Sequence, residues 1–324
     1  MKNSPLFGAR DTYSNKAVLD LSRQFGKIIL WGLTSSTHTH FYVFLAYFRV
    51  CKLLGLNIEW VSESDENAEL IQSNDMVFIH GSTNCLIRKV LERGPIIVDF
   101  HVDQNRERLG DLLDIVACYP RRITERERHE PNSEFLDPLT SFSPASNILT
   151  QPWGSDLVLS EFEPPAHVYW SDKLYWIGSW WKNEHWGNYD EIEELISACK
   201  AADLKFIQLT DCATSQNRLF VRQSRLGPAI AGAGQARQNY LACRFFKNIS
   251  YGQFCVSNVR KSQEVLAGTA IYSDSVLEAI GMALDVNQKK ADELVRFQQQ
   301  CIRNYTVAAH LYIIMLAAKE YALT

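Results

Sequence analysis

A compact apolar run closed by glycine, Lys27-Ile-Ile-Leu-Trp-Gly-Leu33, is followed by a polar loop over 34–40, an apolar stretch over 41–54 that stops at Gly55, and a second strand candidate over 57–61. Apolar runs without alternation mark strands buried on both faces, and a strand, polar loop, helix and strand in succession is the βαβ unit of a parallel sheet. The signature returns at 75–79 and 95–100, with an amphipathic segment over 86–93 between them. It restarts in the second half, with a strand at 174–177, a loop over 178–187, a helix over 189–202 and a strand at 205–209. Two such series predict two Rossmann-like α/β lobes. The stretch 151–165 holds Pro152, Gly154, Pro164 and Pro165 and is expected to separate a first domain (1–150) from a second (166–290). A helical segment over 291–324 should pack back across the lobes. The charged run 121–130 and the Pro/Ser-rich stretch to residue 146 break the pattern and are expected as an excursion, either a lid over an acceptor or a solvated loop.

A chain of 324 residues exceeds the usual size of a single core. Its 46% hydrophobic and 22% charged residues are those of a globular protein. The net charge of -4 argues against general nucleic-acid affinity, so any anion site must be local. The eight cysteines form no C-x-x-C pair and are expected as buried free thiols. The N-terminus lacks the apolar core of a secretory signal, and 305–318 is shorter than the roughly 18 apolar residues a spanning helix needs. A cytoplasmic protein is expected, with peripheral membrane contact left open.

The local anion site is expected in 222–252. Arg222, Arg225, Arg237, Arg244 and Lys247 lie there among small residues and glycines that let backbone N–H groups approach an anion. Gly227-Pro-Ala-Ile suits a helix opening, and helix N-termini attract phosphates. No Walker-type or strand-linked G-x-G-x-x-G motif is present.

The run Arg244-Phe-Phe-Lys-Asn-Ile-Ser-Tyr-Gly252, followed by Ser257-Asn258 and Thr269-Ala-Ile-Tyr-Ser-Asp274, resembles the donor half of a GT-B glycosyltransferase over roughly residues 174–284. The resemblance implies two Rossmann-like lobes with parallel sheets facing across a cleft, and a nucleotide-sugar held by the second. It places contacts to the donor diphosphate at Gly178, Ser179 and Lys182. With them go Arg222, Ser224, Gln235, Tyr240, Arg244, Lys247 and Asn248, the strongest polar group in the chain. Retaining members usually carry a glutamate where Lys247 stands, which favours an inverting reaction. Trp180, Trp181 and Trp186 stack on a base or sugar, or pack the lobes.

An inverting displacement needs a base to deprotonate the acceptor hydroxyl. His38 and His40 in the first βα loop and Asp99 at a strand end, with His101 and Asp103, are the candidates; His38 and His40 have no third ligand beside them for a metal. The expectation is a glycosyltransferase that moves a hexosyl or related sugar from a nucleotide-sugar to an acceptor hydroxyl, for instance of a glycan. It uses no metal and no cofactor beyond the co-substrate. A sugar-nucleotide epimerase and a non-catalytic two-lobed binding protein are the alternatives.

Overall fold

The computed structural model describes residues 13–34, 39–80, 86–100, 119–126, 141–143, 147–166, 171–183, 187–210 and 212–322. These fall into two compact units: 13–126, 141–151 and 307–322 in the first, and 152–306 in the second.

The first unit opens with α1 (Asn15–Ser22), capped by the Ser14 hydroxyl, and β1 (Ile28–Trp31). It continues through α2 (Thr39–Leu53), β2 (Ile58–Val61), α3 (Asp65–Glu69), β3 (Met76–His80), α4 (Ile87–Glu92) and β4 (Ile96–Phe100). Three more strands follow: β5 (Arg122–Arg126), β6 (Ser141–Ser143) and β7 (Ile148–Thr150). Among the described residues they form a seven-stranded sheet of order β2-β1-β3-β4-β5-β7-β6, parallel except for the β6–β7 pair. Every residue of β1 and β4 is buried, which is why β1 is a continuous apolar run and β4 is one apart from Asp99. One face carries Phe44 and Tyr47 of α2 against Phe78 and Phe100. The other packs Ile29, Trp31, Val77, Ile79 and Ile97 against Ala68, Ile87 and Val90 of α3 and α4. Each fully buried side chain of this size contributes about 1.5–3 kcal/mol.

The charged run read as an excursion is therefore partly a strand. Residues 122–126 pair in parallel with β4 and, on the other side, with β7. Backbone pairing needs no apolar side chain, and buried Ile123 is enough to seat the segment. Residues 127–140 and 144–146 lie outside the described residues.

The second unit contains β8 (Lys173–Ile177), α5 (Tyr189–Ala201), β9 (Lys205–Leu209), α6 (Thr214–Gln223), α7 (Ala233–Arg237) and α8 (Cys243–Ser250). It ends with β10 (Val256–Ser257), α9 (Lys261–Val265), β11 (Ile271–Tyr272), α10 (Val276–Leu284) and α11 (Gln288–Ile302). The strands pair as β8 with β9 and β10 with β11, both parallel. Between the pairs runs the segment where a helix opening was expected at Gly227-Pro228. It is extended instead. Arg225 N–H donates to Lys173 O (2.7 Å), Pro228 bridges Val256 in parallel, and Ala229 N–H donates to Val256 O (2.8 Å). The segment thus bridges the two strand pairs, bonded to β8 on one side and to β10 on the other. Pro228 has no N–H to give, which keeps the segment from being a regular strand. Side chains supply the missing bonds: Ser224 Oγ accepts Tyr175 N–H (3.0 Å), and the Asn258 amide exchanges two bonds with Ala231 (2.9 and 2.7 Å). Pairing with two neighbours outweighs the local preference for a helix start at Gly-Pro.

The two units divide at 151/152, inside the stretch 151–165 expected to separate the domains, and the stretch itself is packed. Gln151, Ser155, Asp156, Leu157 and Val158 are all buried. Ser155 N–H donates to Tyr305 O (2.8 Å) and its hydroxyl to Ser250 Oγ (2.7 Å). The helical segment expected over 291–324 is two helices in different units: α11 belongs to the second, and α12 (Val307–Ala317) packs on α1 and α2 of the first. Cys51, Cys199, Cys243, Cys255 and Cys301 are free thiols. Burial pushes Cys51 up to about 12 and Cys199 up to about 11. Among the described residues no helix is long and apolar enough to cross a membrane.

Candidate functional site

In a doubly wound sheet, ligands sit beyond the carboxyl ends of the strands. In the second unit β8 ends at Ile177 and turns at Gly178, whose φ of +134° is a conformation that L side chains rarely adopt. Gly178 N–H donates to Leu209 O (2.8 Å), and its carbonyl accepts from Gln208 Nε2 (3.1 Å). The turn admits the Arg244 guanidinium: a Cβ on Gly178 would lie 2.6 Å from Arg244 Nη2. Arg244 Nη2 donates to Ile177 O (2.7 Å), and the guanidinium stacks on the buried Trp176 ring at 3.6 Å. Its Nε and Nη1 have no hydrogen-bond acceptor, and it has no carboxylate partner, among the described residues. Burial pulls its pKa down, while Cys243 and Tyr240 act the other way. A half-buried cation without a counter-anion, fixed by an aromatic face and a strand carbonyl, is arranged to meet an anion.

Gly178→Ala removes this arrangement in two ways, through the positive φ and through the collision with Nη2. A loss of about 1–3 kcal/mol in stability is expected for the forced backbone. Weaker nucleotide binding should accompany it. Thermal melts and calorimetric titration of the variant measure both, and unchanged binding would mean that Arg244 need not sit against the turn.

Past Gly178 the loop is exposed. Ser179 and Lys182 face solvent, with the Lys182 ammonium 4.2 Å from the Tyr189 ring centroid. Trp180 stacks on Phe206 (5.9 Å, 4°) and is a packing residue, whereas Trp181 is 45% exposed. Trp186 lies outside the described residues.

The other predicted donor residues make their polar contacts within the unit. Arg222 Nη1 donates to Pro164 O (2.8 Å) and Tyr251 O (2.9 Å), 3.6 Å from Glu163, and clamps the turn at Gly252. Ser224 stitches the sheet, and Asn248 Nδ2 donates to Gly227 O (2.9 Å). Gln235 accepts Gly232 N–H (3.2 Å), and the Tyr240 hydroxyl accepts from Trp153 (2.7 Å). Lys247, one turn along α8 from Arg244, lies 3.4 Å from the buried Asp156 carboxylate, which also accepts the Tyr251 hydroxyl (2.7 and 2.9 Å). Burial acts to lower the Lys247 pKa, but Asp156 together with Cys243 outweighs it and the net displacement is upward. Trp176 and Asp156 were not foreseen as parts of this arrangement. For Asp156 the one signal was an acid, inside a Pro/Gly-rich stretch, directly followed by Leu157-Val158-Leu159.

In the first unit Asp99 is buried at the penultimate position of β4, between Ile79 and Thr124. The backbone of His40 lies in the first turn of α2. His38, His101 and Asp103 lie outside the described residues. His80, at the carboxyl end of β3, makes a 3.0 Å contact from Nδ1 to Phe100 O.

No family model and no curated protein matches the chain. Solved structures do match. One, described as trehalose-6-phosphate from E. coli bound with UDP-2-fluoro glucose, is 9% identical over 92% of this chain and 99% of the other, with a TM-score of 0.51. The N-terminal domain of a Candida albicans trehalose-6-phosphate phosphatase is 11% identical over 94% and 93%, with a TM-score of 0.48. An alpha,alpha-trehalose 6-phosphate synthase from Burkholderia multivorans is 9% identical over 93% and 97%, also at 0.48. At such identity the E. coli match establishes the fold, which is the α/β GT-B type with two Rossmann-like units, as the sequence implied.

Proposed function

We propose that the protein is a glycosyltransferase whose second unit holds a nucleotide-sugar at the carboxyl end of β8 and whose first unit receives the acceptor hydroxyl. The observation that carries this reading is Arg244, a cation without a counter-anion held against the glycine turn of a nucleotide-binding type of sheet. The E. coli protein of the same fold is named as binding a UDP-sugar analogue, which supports the same ligand class here.

In transfer, negative charge develops on the leaving diphosphate, and a preorganised guanidinium stabilises it more than water does. Arg244 supplies that charge through Nη1, and Ser179 and Lys182 lie on the exposed loop that follows Gly178. Lys247 is already matched by Asp156, and it keeps α8 in place while Arg244 takes the anion. A hexosyl donor, a glycan acceptor and inversion at the transferred carbon complete the proposal, with the base drawn from His38, His40 and Asp99. Asp99 is the weakest of the three because it is enclosed by its sheet.

Incubation with a panel of nucleotide-sugars and sugar acceptors tests the reading. Free nucleoside diphosphate together with a glycosylated acceptor is expected, and turnover should survive a strong chelator because Arg244 takes the role that a metal fills elsewhere. An isomerised donor would make the protein an epimerase. Binding without turnover would make it a carrier or scaffold.

A further inference from the structure

We infer that the carboxyl-end rim of β1 and β2 in the first unit binds a vicinal diol, with Glu63 as its hydrogen-bond acceptor. Glu63 lies two residues beyond β2, half-buried, with no hydrogen bond and no ion pair among the described residues. Its carboxylate lies directly over the Gly32 Cα: a Cβ there would be 2.7 Å from Oε1 and 3.2 Å from both Cδ and Cγ. A Cβ on Gly32 would displace the carboxylate, and Gly32 also needs its φ of +80°. The next residue, Leu33, is left-handed too (φ +51°), a conformation that costs a leucine energy.

The turn is nevertheless fixed. Gly32 N–H donates to Val61 O (2.9 Å), and the Trp60 indole donates to Gly32 O (2.8 Å). A strained turn is thus clamped to β2 from both sides, and a carboxylate rests on it. The charged groups nearby are engaged elsewhere: Asp65 pairs with Lys89, and Glu59, at the other end of β2's approach, pairs with Lys27 (2.7 Å). A half-buried carboxylate with no donor has acceptor capacity to spare, and a ligand with O–H donors uses it.

An ionised carboxylate only accepts, and its two adjacent oxygens match two neighbouring O–H donors. An acid at the end of the second strand, beside the glycine that ends the first, is where a doubly wound sheet takes sugar hydroxyls. No glycine-rich phosphate motif follows β1, so the hydroxyls and not a diphosphate are the recognised feature on this unit. The diol comes either from a pyranose or from a ribose. Assigning it to the acceptor sugar rests on the transferase reading; the diol site itself does not.

The test is ligand-observed NMR and calorimetry of the full chain with methyl hexosides and, separately, with uridine. Wild type, Glu63→Gln, Glu63→Ala and the control Asp65→Asn are compared, with melting curves for each. The expected result is that a methyl hexoside binds wild type and Asp65→Asn alike, and that both Glu63 variants lose on the order of tenfold, the worth of a charge-assisted bond. Analogues lacking either of the two adjacent hydroxyls should lose a similar factor. Loss of uridine binding, with hexosides never bound, would keep the diol site and overturn its assignment to an acceptor. Equal binding by all four proteins, or binding of neither compound to wild type, overturns the inference. Titration of a nucleoside diphosphate into Arg244→Ala reports on the donor site separately, so the two readings can fail independently.

Discussion

Asp156→Ala is expected to lower stability by about 3–5 kcal/mol, the usual cost of removing one partner from a buried ion pair. Asp156 is 1% exposed, accepts the Tyr251 hydroxyl and faces the Lys247 ammonium at 3.4 Å. Without it, Lys247 keeps a positive charge in a poorly hydrated site and Tyr251 loses its acceptor. For a unit of this size the melting temperature should fall on the order of 10 °C. The pH dependence separates this from a simple cavity. In the native protein the folded Lys247 pKa is raised, so its contribution is fully present below the ordinary lysine value and is lost as pH rises through the folded value. In the variant both Asp156 contributions are gone, burial and Arg244 are opposed by Cys243 alone, the folded pKa is expected below the ordinary value, and the penalty fades as pH rises toward that value. The difference between the two proteins should therefore be largest near neutrality and narrow in alkali. Asp156→Ala/Lys247→Met, with no charge left buried, should recover part of the loss. Denaturant unfolding at about pH 7 and about pH 10 measures all three proteins, and a single variant within about 1 kcal/mol of wild type at neutral pH would deny the pair this role.

The same residue owes its role to contacts that are distant along the chain. Strands buried on both faces, such as 76–80 and 96–100, announce themselves because, His80 and Asp99 apart, each position is apolar. Arg122–Arg126 did not, since its place in the sheet is fixed by backbone bonds to β4 and β7. The 225–231 segment misled for a related reason: Gly227-Pro228 has a local helix-start preference, and only the pairing with Lys173 and Val256 overrides it. Turn composition at 151–165 signalled a break in the chain, yet an acid there meets a tyrosine hydroxyl 95 residues away. Partnerships of that range determine which cations are spent. Arg222, Arg244 and Lys247 look alike in the sequence; in the fold the first clamps two carbonyls, the third pairs with Asp156, and the second has no anion.

That difference makes Arg244 the decisive position for the donor site. Arg244→Ala is expected to weaken nucleoside-diphosphate binding by roughly ten- to a hundredfold, corresponding to about 1.5–3 kcal/mol for a charge-assisted contact. Arg244→Lys retains the charge but not the planar group that stacks on Trp176 and reaches Ile177 O, so it should recover little. Lys247→Ala should behave in the opposite way, with a lowered melting temperature and nearly unchanged affinity, because its charge is matched by Asp156. Arg23→Ala, at a side chain 69% exposed, controls for the change in net charge. Loss of the Ile177 contact will cost Arg244→Ala some stability, so binding is measured by calorimetry well below the melting transition of each protein. If Arg244→Ala and Arg23→Ala bind the nucleotide alike, the unpaired guanidinium is a feature of folding alone. If Lys247→Ala loses more affinity than Arg244→Ala, the anion lies one helical turn further along α8, and the Asp156 pair must open to receive it.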